Sequence, residues 1–267
     1  MYTIDLRGKT GLVMGVTNQR SIAWSIAQPL AQAGVRLAFS YQGERLAPTL
    51  EKLTRDLSDP LLIECDVTDD AQLDALFVRL REEFGHLDYI VHAVAFAPHQ
   101  TFAQPFRKVS REDWRVAMDV SAYSLVAVAD RASDLMSEGG SIVTLSYLAA
   151  ERVVPHYNMM GVAKAALEAS VRFLAYDLGP QGVRVNALSA GPVRTVAARS
   201  IAGFGDMYSE AGRLSMMRRN ITPDEVGTMG FALLTDLSGG VTGETVYVDA
   251  GFHAIGMFLA DGGDEDA

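Results

Sequence analysis

The stretch that decides the fold is TGLVMGVTNQRSIAWSIAQPLA, residues 10–31. Its first half reads as a short buried strand that ends in a turn at Gly15. Ser21 then precedes apolar residues at helical spacing, which predicts a helix with Ser21 as its N-terminal cap. A strand, a glycine turn and a helix N-terminus together form a cradle in which backbone N–H groups face a phosphate. Because the spacing is not G-x-G-x-x-G, a plain strand-to-helix turn stays open as a second interpretation.

The same alternation of strand and helix continues along the chain. Strands are predicted at 11–16, 35–41, 61–64, 87–93, 141–145, 183–188 and 245–248. Helices are predicted at 21–33, 44–57, 70–84, 111–135, 157–178 and 223–235. This order predicts an α/β fold: one Rossmann-like, doubly wound parallel sheet with helices on both faces. We expect a single domain over 1–260, a polar, glycine-bearing insertion at 195–219, and a disordered acidic tail at 261–267.

Composition narrows the class of protein. The chain has 267 residues, of which 49% are hydrophobic, so it is long enough to bury a large core. Its net charge of −10 argues against nucleic acid or an anionic membrane surface as a partner. Cys65 is the single cysteine, so no internal disulfide forms, and a reducing compartment is expected. With no signal-peptide pattern and no long apolar run, we expect a cytoplasmic protein.

The chemically suggestive residues follow the predicted strands. In a doubly wound sheet the ligand lies beyond the carboxyl ends of the strands. Those ends are, in chain order, Gly15, Tyr41-Gln42, Asp66-Val67, Ala93-Val94-Ala95, Ser146-Tyr147 and Gly191-Pro192-Val193. Their coincidence predicts one ligand site along this edge of the sheet.

A tyrosine and a lysine stand seven residues apart, at Tyr157 and Lys164. Helical periodicity places both on one stripe, two turns apart. An ammonium close to a phenol favours the phenolate, so we expect Lys164 to lower the pKa of Tyr157. Such a pair can stabilise negative charge that develops on a carbonyl oxygen. The competing interpretation is a buried tyrosine beside a lysine whose stem covers apolar surface.

Taken together, these stretches resemble the NADH-dependent enoyl-[acyl-carrier-protein] reductases, an atypical branch of the short-chain dehydrogenase/reductases. The resemblance runs from about residue 5 to 256 and rests on Gly15 with Ser21-Ile22-Ala23, Tyr41-Gln42, Asp66-Val67, 91–98, 145–147, Tyr157 to Lys164, 182–187 and 189–195. The six-residue gap between Tyr157 and Lys164 is its specific part, because ordinary members of the superfamily place the lysine four after the tyrosine. Position 161 of this chain is Gly.

The resemblance implies a role for each matching residue. Tyr157 would hydrogen-bond the thioester oxygen, Lys164 would hold the nicotinamide ribose, and Tyr147 would position the substrate. The pyrophosphate would lie on Gly15, Ser21 and Ile22, with Asp66, Val67 and Val94 on the adenosine side. The nicotinamide end would lie on Val193, Arg194, Thr195, Val196 and Ala197. The acyl substrate would touch Ala97 and, from a mobile lid at 195–219, Phe204, Met207 and Tyr208. For Asp66, a cap on the following helix is the alternative.

The cofactor is predicted from a few residues, and the partners are predicted mainly from the resemblance. Gln42 and the absence of a cationic pair at the second strand favour NADH over NADPH, with Arg45 interpreted as a solvated helix residue. The resemblance implies an enoyl thioester of acyl carrier protein as substrate. It also implies a homotetramer as assembly, with the late helices and the apolar segment 240–256 at its interfaces. Where the family is expected to have a Gly, this chain has Ala95. Arginines 194, 199, 213, 218 and 219 make the lid basic, which suits an acidic carrier or simply a solvated face. A 3-ketoacyl reductase and a non-catalytic NAD(H) sensor are the rival functions.

Overall fold

Seven parallel strands form one sheet in the described part of the chain. The computed structural model describes residues 4–196, 198 and 203–257. The strands are β1 (Thr10–Met14), β2 (Arg36–Tyr41), β3 (Leu61–Glu64), β4 (Tyr89–His92), β5 (Gly140–Ser146), β6 (Val183–Ala190) and β7 (Thr245–Val248). Their order across the sheet is β3-β2-β1-β4-β5-β6-β7. The strands before β4 are added on one side of β1 and the later strands on the other side. The order therefore switches between β1 and β4, and ligands of such sheets bind in the crevice at this switch point.

Helices cover both faces of the sheet. They are α1 (Ile22–Gln32), α2 (Ala47–Thr54), α3 (Asp70–Phe84), α4 (Gln100–Ala103), α5 (Arg111–Met118), α6 (Ser124–Ser133), α7 (Asn158–Leu178), α8 (Phe204–Leu214) and α9 (Pro223–Leu234). One buried cluster joins α3, α6 and α7 to one face, and a second joins α1, α2 and α9 to the other. All five residues of β1 are buried, as expected for a central strand covered on both sides.

The sequence predictions locate every strand and most helices. The predicted helix 111–135 is interrupted by a π-helical turn, Asp119–Tyr123, between α5 and α6. The predicted helix 44–57 begins as a 3₁₀ turn, Glu44–Leu46, before α2. Helices α4 and α8 were not predicted. Helix α4 is only four residues long. Helix α8 lies in the segment 195–219, which we interpreted as a polar insertion and not as a helix.

The described residues contain neither a membrane-spanning helix nor a cluster of metal ligands. None of their helices is long and apolar enough to cross a membrane. No group of three or more His, Cys, Asp or Glu side chains within 4–196, 198 and 203–257 is arranged to hold a metal ion.

Candidate active site

Gly15 shapes the floor of the site. Its φ is +91°, and a Cβ built there would lie 2.2 Å from the carbonyl oxygen of Ala93. Only glycine therefore lets the turn after β1 lie against the chain that leaves β4. This contact closes the crevice at the point where the strand order reverses.

Ser21 stands where predicted but does something else. It is the N-terminal cap residue of α1, yet its side chain makes no hydrogen bond to the helix. Its Oγ accepts instead from the backbone N–H groups of Thr17 and Asn18, at 3.0 and 3.2 Å. The prediction of a side-chain cap is wrong, because the hydroxyl is used to fold the loop 15–21. The N–H of Trp24 donates to the Ser21 carbonyl oxygen, so the N–H groups of Ile22 and Ala23 at the start of α1 remain to face an external anion, as a phosphate cradle requires.

A cavity of 410 Å³ opens beside this turn, and most of the predicted cofactor residues line it. They are Gly15, Ser21, Ile22, Gln42, Asp66, Val67, Val94, Thr195 and Val196. The ends of β1, β2, β3 and β4 thus bring residues as distant in sequence as Gly15 and Val94 to one cleft. Ala197 lies outside the described residues, and so do 199–202 of the predicted lid.

Gln42 and Asp66 contact each other directly in this cavity. Gln42 Nε2 donates to Asp66 Oδ2 at 2.7 Å, and the other carboxylate oxygen accepts from the backbone and hydroxyl of Thr68. Burial acts to raise the pKa of Asp66, but the hydrogen bonds from Thr68 and Gln42 outweigh it, and the pKa falls below its ordinary value. The alternative of a helix cap fails for Asp66, because Asp69 caps α3. A fixed negative charge therefore stands at the ends of β2 and β3.

A second cavity, of 420 Å³, adjoins the first and holds the predicted catalytic residues. Tyr147, Tyr157 and Lys164 line it together, with Ala97, Val193, Phe204 and Met207. Both cavities share Ile22, Ala93, Ala95, Phe96, Leu145 and Thr195 on their walls. The departure at Ala95 thus lies at their junction. A dinucleotide in the first cavity would place its far end against the tyrosines of the second.

Tyr157 is held between two strained residues. His156 and Asn158 have φ values of +67° and +40°, in a region that side chains other than glycine rarely adopt. Asn158 Nδ2 donates to the carbonyl oxygens of Thr101 and Gln104, both at 3.0 Å, and so ties the start of α7 to α4. Such strain persists only where the surroundings over-determine it, and it is concentrated at functional sites.

The two tyrosines form one pair, with ring centroids 4.9 Å apart. Burial raises the pKa of Tyr157 above its ordinary value, and Tyr147 adds to the rise. Burial likewise raises the pKa of Tyr147 to about 12. The prediction that Lys164 lowers the pKa of Tyr157 is therefore wrong in this structure, because sequence spacing does not show how deeply the phenol is buried. Tyr157 is a neutral phenol at pH 7 and a hydrogen-bond donor.

Lys164 is almost completely buried, with 6% of its surface exposed. Its Nζ donates to the backbone oxygen of Leu145 at 2.7 Å. Burial lowers its pKa to about 8, and the charge of Glu168 partly opposes the fall. The Tyr-x3-Lys spacing of ordinary relatives has no room here, since a Cβ at Gly161 would lie 2.8 Å from the oxygen of Ala149. A lysine that reaches this site must come from position 164.

The predicted lid contains helix α8, which covers the second cavity. Tyr147 Oη contacts Met207 Sδ at 3.6 Å. Tyr208 and Arg194 line neither cavity, because the guanidinium of Arg194 stacks over the Tyr208 ring at 4.4 Å. Two of the lid arginines have acidic partners: Arg213 pairs with Glu210, and Arg219 pairs with Glu225. These pairs reduce the positive charge that we predicted for carrier docking.

Sequence reasoning missed two buried polar residues next to the site. His92, at the end of β4, is fully buried between Thr144 Oγ1 and Ser124 Oγ, at 3.0 and 2.9 Å. Glu168 is 6% exposed and follows Lys164 by one helical turn. The i, i+4 spacing of Lys164 and Glu168 was a signal in the sequence that we did not use.

Comparisons with known proteins agree with this geometry. The sequence profile described as "Enoyl-(Acyl carrier protein) reductase" matches residues 15–253. The chain belongs to this enoyl reductase family. It is 48% identical over 259 residues to "Enoyl-[acyl-carrier-protein] reductase [NADH] 1" of Rhizobium meliloti, a match that covers 97% of this chain and 95% of that protein.

Solved structures of enoyl reductases superpose on the whole fold. The Bacillus cereus enoyl reductase with NADP+ and indole naphthyridinone has a TM-score of 0.92 and 47% identity, over 94% of this chain and 99% of that one. The Anaplasma phagocytophilum enzyme in complex with NAD also has a TM-score of 0.92, at 45% identity, over 96% and 97% of the two chains. This enoyl reductase therefore has the same sheet and the same arrangement of helices as both.

Proposed function

We propose that this enoyl reductase reduces the trans-2 double bond of enoyl-[acyl-carrier-protein] thioesters with NADH, the last reductive step of fatty-acid elongation. The observation that carries the proposal is the shared wall of the two cavities. It sets Tyr147, Tyr157 and Lys164 beside the far end of a dinucleotide-sized cleft.

The first cavity fits a nicotinamide dinucleotide by its shape and its donors. The close approach at Gly15 and the unused N–H groups of α1 suit a pyrophosphate. Asp66 and Val67 suit the adenosine end, and Val193, Thr195 and Val196 the nicotinamide end, with Val94 between them. Arg194 and Ala197 complete the set that we propose for the cofactor. When bound there, NADH supplies the hydride.

The fixed carboxylate of Asp66 supports NADH over NADPH. Similar proteins hold either cofactor, since the Anaplasma structure contains NAD and the Bacillus cereus one NADP+. In this chain Gln42 offers an amide and orients the Asp66 carboxylate beside it. A ribose hydroxyl can donate to a carboxylate, whereas a 2′-phosphate is repelled by it.

The chemistry at the substrate follows from the protonation states. Hydride addition to the β-carbon moves an electron pair onto the thioester oxygen, and the resulting enolate takes a proton at the α-carbon. Tyr157 remains protonated, because its pKa is raised, so it can donate a hydrogen bond to that oxygen. Lys164, with a pKa of about 8, keeps most of its positive charge at pH 7 and can bind the ribose hydroxyls. Tyr147 positions the thioester.

The acyl chain would leave the tyrosines along the apolar wall of the second cavity. Ala97, Phe102 and Met160 lie on one side, and Phe204 and Met207 of α8 on the other. Methionine adapts its shape to different chain lengths. Tyr208, which we expected at this wall, would act by stacking on Arg194 to hold α8 in place.

For the assembly we propose a homotetramer. Phe173 and Tyr176 on α7 are 73% and 81% exposed, and Trp114 on the neighbouring α5 is 44% exposed. Exposed large aromatic side chains of this kind are typical of protein–protein interfaces.

A single assay tests the function. Purified protein, NADH and a trans-2-enoyl thioester are mixed, and the absorbance of NADH is followed with acyl-carrier-protein and coenzyme A thioesters in parallel. Loss of NADH with both thioesters, and faster loss with the carrier-protein form, supports the proposal. Reduction of a 3-ketoacyl thioester instead would favour the ketoreductase, and NADH binding without turnover would favour a sensor.

A further inference from the structure

An acidic side chain lies buried one turn beyond the lysine of the site. Glu168 and Lys164 are each only 6% exposed, and both face the sheet from α7. Charged side chains are almost never this buried unless each has a partner. The scheme described above gives Lys164 a role but leaves Glu168 without one.

Two consecutive residues at the end of β5, Leu145 and Ser146, contact the two charged side chains. Leu145 accepts the hydrogen bond of Lys164 Nζ through its backbone oxygen. Ser146 donates a hydrogen bond from its hydroxyl to Glu168 Oε1. Tyr147 follows and lines the second cavity. Glu168 thus fixes α7 to the strand segment that contacts Lys164 on one side and carries Tyr147 on the other.

We propose that Glu168 is a positioning residue, which holds the Lys164 ammonium charged and in place at the nicotinamide ribose. The proposal rests on the proposed function for the task of Lys164. The neighbouring carboxylate and its contact with Ser146 keep the lysine charged and in position to bind the ribose.

The charged surroundings support this assignment. Lys164 faces Glu168 on its own helix and His92 on β4, and burial keeps His92 neutral by lowering its pKa to about 3. Glu168 faces Glu151 after β5, Arg172 on α7 and Tyr247 on β7. Burial raises the pKa of Glu168, the Ser146 hydrogen bond opposes the rise, and Glu151 adds to it. Of these groups, Glu168 is the acid whose charge raises the pKa of Lys164 against burial.

Glu168→Gln keeps the shape and a hydrogen-bond acceptor but removes the charge. The Kd of NADH, from its fluorescence on binding, is measured between pH 6 and pH 9 for the wild type and the variant. Without the carboxylate the pKa of Lys164 falls, so the loss of affinity at alkaline pH should move to lower pH by about one unit. We expect about fivefold weaker binding at pH 8 and a change below about twofold at pH 6.

Controls separate charge from structure. Glu151→Gln removes an exposed acid from the same neighbourhood and should leave the alkaline loss of affinity in place. Glu168→Asp retains the charge and should restore binding at pH 8 in part. Should the glutamine variant fail to fold, Ser146→Ala is used, which loosens the carboxylate and should shift the pH profile in the same direction.

Two results would overturn the proposal: an unchanged pH profile, or equal weakening at pH 6 and pH 8, since the second marks a purely structural role. Because NADH binding is measured without thioester, these results are independent of enoyl reduction. A wild type that does not bind NADH would instead refute the proposed function.

Discussion

The pKa of Tyr157 is the property for which the sequence-based prediction and the structure differ most. The spacing to Lys164 predicts a phenol made more acidic by an ammonium, whereas the structure raises the pKa of Tyr157 through burial. Lys164 Nζ donates instead to the backbone oxygen of Leu145. We therefore propose separate roles for the two residues: Tyr157 would donate a hydrogen bond to the substrate oxygen, and Lys164 would supply positive charge and hold the cofactor.

This division predicts different kinetics for the two substitutions. Tyr157→Phe removes only the hydrogen-bond donor, so turnover should fall by roughly 10²- to 10⁴-fold while the Kd of NADH stays within about twofold of wild type. Lys164→Ala should weaken NADH binding and turnover together. Steady-state kinetics and NADH fluorescence titration measure both. Unchanged NADH affinity in Lys164→Ala would show that the lysine does not contact the ribose.

His92 gives the protein a specific sensitivity to acid. Burial first, and then the charge of Lys164, lower its pKa to about 3 from an ordinary value of 6.5. Between these pH values the unfolded chain binds one more proton at this residue than the folded chain. The free energy of unfolding therefore falls as the pH falls from 6.5 toward 3, by up to about 1.4 kcal/mol per pH unit from His92 alone.

Urea unfolding of the wild type and His92→Asn, from pH 4.5 to 7.5 at fixed protein concentration, measures this contribution. The variant is expected to be less stable at pH 7.5, because Thr144 and Ser124 lose a partner, but its stability should fall less steeply with acid. Parallel curves would show that His92 is not buried as a neutral ring.

The strands of the sheet can be predicted from the sequence, but some of the helices and turns cannot. The buried parallel strand β1 is a short, largely apolar run, and the order of the strands along the chain is enough to predict the sheet and the edge where a ligand is expected to bind. Helix α4 has a single turn and shows no periodicity. The sequence could not show that Gly161 brings α7 against Ala149, because this contact joins two separate elements. It also could not show that Ser21 folds its own loop, because a serine before a helix can bond either the helix or the loop.

Helix α8 is attached to its surroundings by few contacts that the structure describes. Arg194 stacks on Tyr208, Asn220 Nδ2 donates to the Tyr208 oxygen at 2.9 Å, and Met207 touches Tyr147. Elements with few buried apolar contacts open locally at low free energy. We therefore predict that 203–214 exchanges its amide hydrogens rapidly, and that NADH with a saturated thioester analogue slows exchange at least about tenfold.

Hydrogen exchange with mass spectrometry reads this segment directly. Peptides from β4 and β5 serve as internal controls, since their protection should stay constant. Full protection of 203–214 before any ligand is added would make α8 part of the scaffold, and the acyl chain would then need another entrance.

In the whole molecule, the structure favours a different surface for the proposed interface between subunits. We expected the late helices and the apolar segment 240–256 to form it, and within this segment Val246 and Val248 are half-buried and pack against the core of the same chain. The exposed aromatics on α5 and α7 are the better candidates. Sequence periodicity could not separate these positions from core residues, because a helix that is buried in an assembly and one that is buried in a core look alike.

Charge on α7 should therefore disrupt the assembly. Phe173→Glu with Tyr176→Glu is expected to convert a tetramer into smaller species in multi-angle light scattering at micromolar concentration. Val78→Glu, at an exposed position of α3, is the matched control and should leave the mass unchanged. A monomeric wild type would contradict the proposed assembly.

Enoyl-thioester reduction at Tyr157 with the hydride of NADH is tested most directly by following the absorbance of NADH with trans-2-enoyl-[acyl-carrier-protein]. We predict rapid loss of absorbance, a larger kcat/KM with NADH than with NADPH, and a saturated thioester as the product by mass spectrometry. No loss of absorbance with any enoyl thioester, while a 3-ketoacyl thioester is reduced, would contradict the account.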